Sequence, residues 1–398
     1  MNDSIARQTV WPSWHRLFLW LMMPLSAVVF IEPAPYDVFV IIALLVAAMF
    51  SFISFSRSLG PSIILLALFV LCNVLPALIE AKQQMLAVKY FAITLYLMFS
   101  WLFFTGILNR YKEQALNIIL SGYTIGALFS AVLGILAYFH LIPTFDILIK
   151  YGRATGLFKD PNVYGPFLVP AVGIALYRSE QSKGIVKTGY LLACLLAALG
   201  VLLSFSRAAW GNCALASGIY LLLPQKKARG KRFVTLALLL LLGMPVLTQI
   251  IQTPAVNHLF VDRLGLKQYD NNRFGTQKEA LEETMDHPFG IGPGQSEKVF
   301  DYATHSLYVR VLTEYGIAGS LCFFLFIALS LGRAYVLAMD RNGPYQGYYV
   351  LFAALLTGVL FNSFFVDTLH WRHFWLLLAL PWIPNPAGAS LRWKRGRS

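Results

Sequence analysis

A single polar interruption constrains this chain more than any other feature. Residues 252–302 read QTPAVNHLFVDRLGLKQYDNNRFGTQKEALEETMDHPFGIGPGQSEKVFDY, in a chain that is otherwise a succession of membrane-length apolar stretches. Ala303 and Thr304 close the segment, so that a loop over 252–304 ends just before His305 and the next hydrophobic run. Loops of this length are functional or disordered. Helix and turn signals inside this one predict a folded, functional loop.

The chain is 58% hydrophobic and 13% charged, whereas soluble domains average roughly 25% charged residues. The expected fold is therefore an all-α integral membrane protein, a single polytopic unit over 1–398. A spanning helix needs about 20 mostly apolar residues. Stretches of that kind lie at 17–31, 36–55, 61–80, 86–108, 114–140, 163–178, 186–203, 208–223, 233–251, 317–339, 346–366 and 370–384. This predicts about twelve spans, with the large loop between the ninth and tenth. The start, MNDSIARQTVWPSWHR, lacks the basic region, apolar run and cleavage site of a signal peptide, so the first apolar run is expected to remain as a helix. Cys72, Cys194, Cys213 and Cys322 all fall in apolar stretches and are expected to pack as small apolar residues, without disulfides or a thiolate metal site.

Lysine and arginine set the orientation. The densest runs, QKKARGKR near 225–232 and RWKRGR in the tail, fall on one side of the alternating spans. The positive-inside rule then places both termini in the cytoplasm. Inner-loop topology and anionic headgroups account for most of the net charge of +13, so no nucleic-acid partner is expected.

Ten further basic residues concentrate in three outer segments, where topology does not ask for them. They are Lys150, Arg153, Lys159, Arg207, Arg263, Lys267, Arg273, Lys278, Lys298 and Arg310. An outward face that keeps arginines against the charge bias suits an anionic ligand. In KYGRATGLFKDPNVYG, residues 150–165, Asp160-Pro161-Asn162 is a turn signal, and Asn162 can cap the following helix. Asp160 and Asn162 therefore serve either as turn and cap or as binding groups. Arg153 has no such structural explanation. Arg207, in LLSFSRAAWG, either snorkels at the membrane interface or faces a cavity. A charge within a span costs about 2.5–3.5 kcal/mol on insertion scales and marks a functional site by default.

Within the large loop, Asn271 or Asn272 is expected to cap a helix over 273–286, with Lys278 and Glu282 at i, i+4 spacing. Pro288 stops it. Gly290, Gly292 and Gly294 permit positive φ, but their spacing follows no strand and implies no dinucleotide fold. Arg273 at the helix start opposes the dipole, which calls for another partner. His305 opens THSLYVRVLTEYGIAG, a helical segment leading into the next span. A histidine at a helix start is either structural or, among these arginines, a general base. His370 and His373 flank Arg372 at the last outer turn, where interface placement is expected, and His258 and His287 belong to exposed loop. No HExxH, DxD-like pair or tight His/Cys cluster is present, nor a Walker A sequence. No catalytic metal, cofactor or ATP hydrolysis is expected.

Taken in order, RATGLFKDPNVYG at 153–165, SFSRAAWG at 204–211, NNRFGTQKEALEETMDHPFGIGPGQ at 271–295 and THSLYVRVLTEYGIAG at 304–319 resemble the bacterial O-antigen ligase and O-antigen polymerase superfamily. With the span pattern the likeness covers roughly residues 60–380. The family often carries Asn after its histidine; here Ser306 stands in that place. The resemblance implies glycan transfer on the periplasmic side of the inner membrane, from undecaprenyl diphosphate to an acceptor. It likens His305 to the catalytic base, Arg207 to the arginine after helix seven, and Arg273 to the arginine of the large loop. The acceptor is lipid A–core in ligases, the form this chain most resembles, and another lipid-linked glycan in polymerases. A protein-glycosylating relative is a third option. A transporter or flippase is the rival from another class, but transporters show internal repeats and mid-span ionisable residues, and no repeat is evident here.

Overall fold

The computed structural model describes residues 13–143, 147–224, 268–300 and 302–385, together with Arg232 and Thr248. The span expected at 233–251, apart from Thr248, and the loop residues 252–267 lie outside the described residues. What is described is almost wholly helical. The helices are α1 (Ser13–Leu25), α2 (Pro35–Phe50), α3 (Gly60–Ile79), α4 (Gln84–Tyr138), α5 (Pro161–Gln181), α6 (Gly184–Leu203), α7 (Arg207–Leu222), α8 (Gln268–Asp286), α9 (Ser296–Val299), α10 (Leu307–Met339), α11 (Gln346–Asn362) and α12 (Arg372–Ala379). A two-residue hairpin, β1 (Ile149–Lys150) with β2 (Arg153–Ala154), joins α4 to α5.

Among the described residues, four helices are long and apolar enough to cross a membrane: Arg57–Ile79, Gln84–Tyr138, Gly184–Leu203 and Leu307–Met339. Pro35–Phe50 and Gln346–Asn362 are shorter apolar helices. The chain is a helical membrane protein.

Helix α4 has 55 residues and would run to about 80 Å if straight, against a hydrocarbon core of about 30 Å. It breaks at Lys112 (φ 48°, ψ −125°) and doubles back. Near its start, Tyr96 donates to Asp37 Oδ1 at 2.8 Å. Near its end, Ser130 Oγ accepts from the Leu157 amide at 3.1 Å, and the Leu157 carbonyl accepts from Val29 at 2.9 Å. Val29 and Asp37 bracket one short connection, so both ends of α4 lie on one side. The stretches expected at 86–108 and 114–140 are the two arms of this element. At the bend, Asn109 donates to Ser54 Oγ at 2.9 Å, Arg110 donates to the Ser51 carbonyl, and Gly106 leaves room for Ile53, whose Cβ would stand 2.7 Å from an added Cβ.

Two expected spans differ. The first is α1, over 13–25 rather than 17–31, with Pro24 in its last turn. The last, expected over 370–384, is the eight-residue α12 followed by a 3-10 turn, Leu380–Trp382. Together these measure about 18 Å at 1.5 and 2 Å per residue, shorter than the roughly 30 Å hydrocarbon core. Pro381 lacks the N–H that would continue the helix. Its exposed carbonyls are capped from neighbouring helices: Arg333 Nε donates to Pro381 O at 2.8 Å and Nη2 to Ile383 O at 3.4 Å, and Tyr349 donates to Ile383 O at 2.7 Å.

The second long helix, α10, breaks at Gly316 (φ 68°, ψ −176°). The break exchanges partners with the glycine turn after α8. Ile317 N–H donates to Pro288 O, while Thr313 O and Glu314 O accept from Ile291 and Gly292, each at 3.0 Å. Gly290, Gly292 and Gly294 all have positive φ (92°, 101° and 71°). The two backbones meet so closely that a Cβ on Gly290 would lie 2.5 Å from Glu314 O, and one on Gly316 2.4 Å from Phe289 C. This contact hangs the loop on the bundle.

Gly316→Ala is therefore expected to destabilise the protein by roughly 1–3 kcal/mol through backbone strain alone, with the clash added. Thermal unfolding in detergent checks it. Gly332→Ala, in the same helix with nothing within 4 Å, is the control and should be neutral or slightly stabilising.

Candidate functional site

The six residues singled out in the sequence lie on four segments at one end of the bundle. His305 precedes Ser306, the N-cap of α10. Its backbone is left-handed, φ 47°, a region in which His is enriched among non-glycine residues. Ser306 makes no side-chain cap. Instead Ser363 O accepts from Leu307 N–H at 3.0 Å, which fixes the His305 end of α10 to the end of α11.

Arg207 is the first residue of α7, exposed, after Ser206, whose Oγ accepts from Ala209 N–H at 3.4 Å. Trp210 Nε1 donates to the Val201 and Leu202 carbonyls, both at 3.2 Å, and locks the α6–α7 turn. One turn along, Gly211 lies against Phe361 of α11, whose Cε1 would be 2.4 Å from an added Cβ. The starts of α7 and α10 thus both abut the end of α11.

Helix α8 begins by Gln268, so Asn271 and Asn272 lie inside it and do not cap it, contrary to expectation. Arg273 is the sixth described residue of the helix, beyond the first turn in which the dipole acts strongly. Its neighbour one turn on, Gln277, donates to Thr304 O at 2.9 Å. The α8 backbone near Arg273 is thereby brought next to His305. Lys278 and Glu282 form the expected i, i+4 pair at 3.8 Å, and the helix ends at Asp286, two residues before Pro288.

Arg153 is buried in β2. Its Nε donates to Ser204 O and its Nη2 to Asn162 Oδ1, each at 2.7 Å. Asp160, not Asn162, is the cap of α5: its Oδ1 accepts from Asn162 N–H at 2.7 Å, with Pro161 in the first position. Arg153, Asp160 and Asn162 therefore form one bonded unit that reaches the turn carrying Arg207.

A second cluster, adjacent to the first, has no counterpart in the residues singled out from sequence. Arg310, less than two turns beyond His305, is buried among carboxylates: Asp367 at 2.6 Å, Glu314 at 3.2 Å and Glu297 at 3.5 Å. It lies 5.0 Å from the centre of the Tyr90 ring, and Tyr90 donates to both Glu297 oxygens at 2.8 Å. Glu314 also accepts from Gly294 N–H at 2.8 Å and from Ser296 Oγ. Sequence reading counted Arg310 only as one more outward cation. The i, i+4 spacing of Arg310 and Glu314 was the available signal; Glu297, Asp367 and Tyr90 are remote in the chain.

His370 and His373 do not sit at the interface as expected. His370 shares a hydrogen bond with Thr94 Oγ1 at 3.2 Å and packs on Tyr90. Burial and the Arg310 charge push its imidazole down to about 3, against the opposing pull of Asp367, so it is neutral at physiological pH. Burial alone would raise Asp367, but the Arg310 guanidinium, helped by the Leu369 N–H, outweighs it and holds the carboxyl below its usual value. His373 is buried between Phe167 and Trp371. Arg372 is paired with Asp37, its Nε donating to Oδ1 at 2.5 Å. His287 lies 3.6 Å from Glu80 and 3.4 Å from Glu283; His258 lies outside the described residues.

Residues 192–324, about a third of the chain, match the family model for O-antigen ligase. The match supports the O-antigen ligase superfamily for this chain. It bears out the resemblance drawn from the motifs, and its range holds Arg207, Arg273 and His305. A search of curated proteins gave no match. The family supports a membrane protein of ligase or polymerase type, with a lipid-linked glycan and a lipid acceptor as its general partners.

Removing one side of the Arg310 cluster should be costly. Arg310→Ala leaves Glu314, fully buried, without its cation, and a loss of about 3–5 kcal/mol is expected. Arg310→Met combined with Glu314→Gln should recover part of it in the same thermal-unfolding measurement.

Proposed function

We propose that the protein is an O-antigen ligase of the bacterial inner membrane, moving a glycan from undecaprenyl diphosphate onto lipid A–core at its periplasmic face. The observation that carries this reading is the set of contacts that gathers three segments around the end of α11: Gly211 on Phe361, Leu307 on Ser363, and Gln277 on Thr304. These bring Arg207, the α8 backbone around Arg273, and His305 to one end of the bundle. In this reading about twelve membrane segments, the short α12 among them, place both termini in the cytoplasm and the 252–304 loop in the periplasm.

In the proposed reaction His305 takes the proton from the attacking acceptor hydroxyl. The hydroxyl oxygen bonds to C1 of the donor sugar as the C1–O bond to phosphate breaks, and the leaving undecaprenyl diphosphate keeps the electron pair. Displacement from the opposite face inverts the anomeric centre. Arg207 and Arg273 bind the diphosphate oxygens in bidentate fashion and stabilise the charge developing on them. Arg153, bonded to Asn162 and Ser204 and supported by the Asp160 cap, holds the turn that presents Arg207. Arg310 lies among three carboxylates, which suits it to holding the wall of the site rather than to receiving a diphosphate.

Transfer is measured with purified protein in lipid nanodiscs, using undecaprenyl-diphosphate-linked glycan with lipid A–core added or withheld. Product is expected only when lipid A–core is present. Glycan lengthened on the lipid carrier without lipid A–core would instead make the protein a polymerase, and transport without transfer would make it a transporter. His305→Ala should lower the rate by about 10²–10⁴-fold, the usual contribution of a general base, in protein that thermal unfolding shows to be folded. Arg207→Lys, which keeps the charge but loses the bidentate fork, should weaken donor use while leaving the apparent affinity for acceptor intact.

A further inference from the structure

Among the described residues, helix α8 leaves an apolar edge uncovered on the loop segment that packs against the start of α10. Phe274, Leu281 and Met285 are exposed, Met285 at 81%, and Phe289 follows just past the helix end at 70%. At about 100° per residue the three helical positions fall within about 40° of one another. Thr276, Ala280 and Thr284 form the buried face. They pack on the first part of α10, where Thr313 Oγ1 donates to Ala280 O at 2.9 Å. Glu279, Glu282 and Asp286 lie exposed on the opposite flank. The helix thus has three sides: one against protein, one charged, one apolar.

The apolar edge joins the surfaces that run down the candidate spans. The bond from Ile317 N–H to Pro288 O sets Phe289 beside the top of an exposed stripe on α10, formed by Ile317, Leu321, Leu325 and Leu329 at i, i+4 spacing. On its other side His287 lies 3.6 Å from Glu80, directly after the exposed Leu78 and Ile79 of α3. A contiguous apolar patch of this kind is not left in water by a stable protein.

We infer that α8 is an interfacial helix. Its Phe274–Leu281–Met285 edge, with Phe289, lies among the phospholipid acyl chains of the leaflet at the His305 end. Lys278, beside that edge, extends toward the headgroups, and Glu279, Glu282 and Asp286 face water. Such helices bury their apolar side about 5–10 Å into the headgroup boundary. The inference rests on the membrane reading of the fold and deepens the proposed function: Arg273 immediately precedes Phe274, so the helix holds it at the depth where a lipid-linked donor carries its diphosphate.

The test reads depth without using activity. Single nitroxides are placed at Leu281→Cys, Met285→Cys and Glu279→Cys in the full chain, with the four native cysteines changed to alanine. The protein is reconstituted in nanodiscs of phosphatidylethanolamine and phosphatidylglycerol, and unfolding temperatures confirm that each variant is folded. Collisions with oxygen are expected to exceed those with a polar nickel chelate at 281 and 285, and the ratio should reverse at 279. Equal nickel access at 285 and 279 would overturn the inference by placing the edge in water. Exclusion of both reagents at 285 would overturn it by showing protein, a second copy or a partner, on that face. Leu281→Gln with Met285→Gln, at unchanged thermal stability, should then lower kcat/KM for the lipid-linked donor. A lipid depth at 285 in a protein that transfers nothing would uphold the inference and sink the proposed function alone.

Discussion

The exchange of backbone hydrogen bonds between the break in α10 and the turn after α8 is the constraint on which the arrangement of this end of the bundle depends. A helix that breaks at the edge of a bilayer strands carbonyls and amides that no lipid can satisfy. Here the stranded groups of residues 313, 314 and 317 find partners in residues 288, 291 and 292. The loop is thus held by the same bonds that let the helix break. Because α8 enters this turn directly and lies back along residues 304–313, the exchange also decides where the α8 backbone around Arg273 lies relative to His305.

Arginine is used in two ways at this end. Arg310 and Arg372 are set against carboxylates, Arg310 among three and Arg372 against Asp37. In such sites removing one partner does more damage than the pair contributes net, so these are joints of the fold. Arg153 is different: its bonds to Asn162 Oδ1 and Ser204 O are to neutral acceptors and draw the β1–β2 hairpin, the start of α5 and the α6–α7 turn together. Such a clasp fixes the α6–α7 turn, from which Arg207 opens α7.

Hydropathy made most of the helical fold legible, because a bilayer leaves long apolar runs with little choice but to be helices. It also located the two arms of α4, although the reversal at Lys112 is a backbone event with no glycine or proline to announce it. Proline 288 and the three glycines were readable for what they do, since each restricts or frees the backbone in a definite way. Caps were read less well. Asp160-Pro161-Asn162 offers two capping side chains, and only the extended backbone at Asp160 (φ −142°) selects between them. Asn271 and Asn272 look like caps in one dimension because the residues before them are polar; the helix runs through them, its inner face set by packing on α10. Of the Arg310 cluster only the i, i+4 pair with Glu314 could be read in the sequence; Tyr90, Glu297 and Asp367 are joined to it only by folding. For the site, sequence pattern picked out the segments; their meeting around the end of α11 depends on Gly211, Ser363 and Gln277, residues with no chemical signature of their own.

The short buried α12 bears on how the chain is assembled. A half-length helix ending in carbonyls at Pro381 and Ile383 has no stable place in lipid by itself, and its donors, Arg333 and Tyr349, belong to α10 and α11. Those helices are made first. The membrane insertion machinery therefore meets, after α10 and α11, a segment that it cannot release as an independent span but that the preceding helices can accept. Trp375 and Trp382, packed against Trp101, Phe323 and Phe326, then act as a keystone: entry of α12 closes the aromatic core and carries the 363–371 turn, with Ser363 and Asp367, into contact with α10. The candidate site is in this way completed only when α12 has joined the bundle.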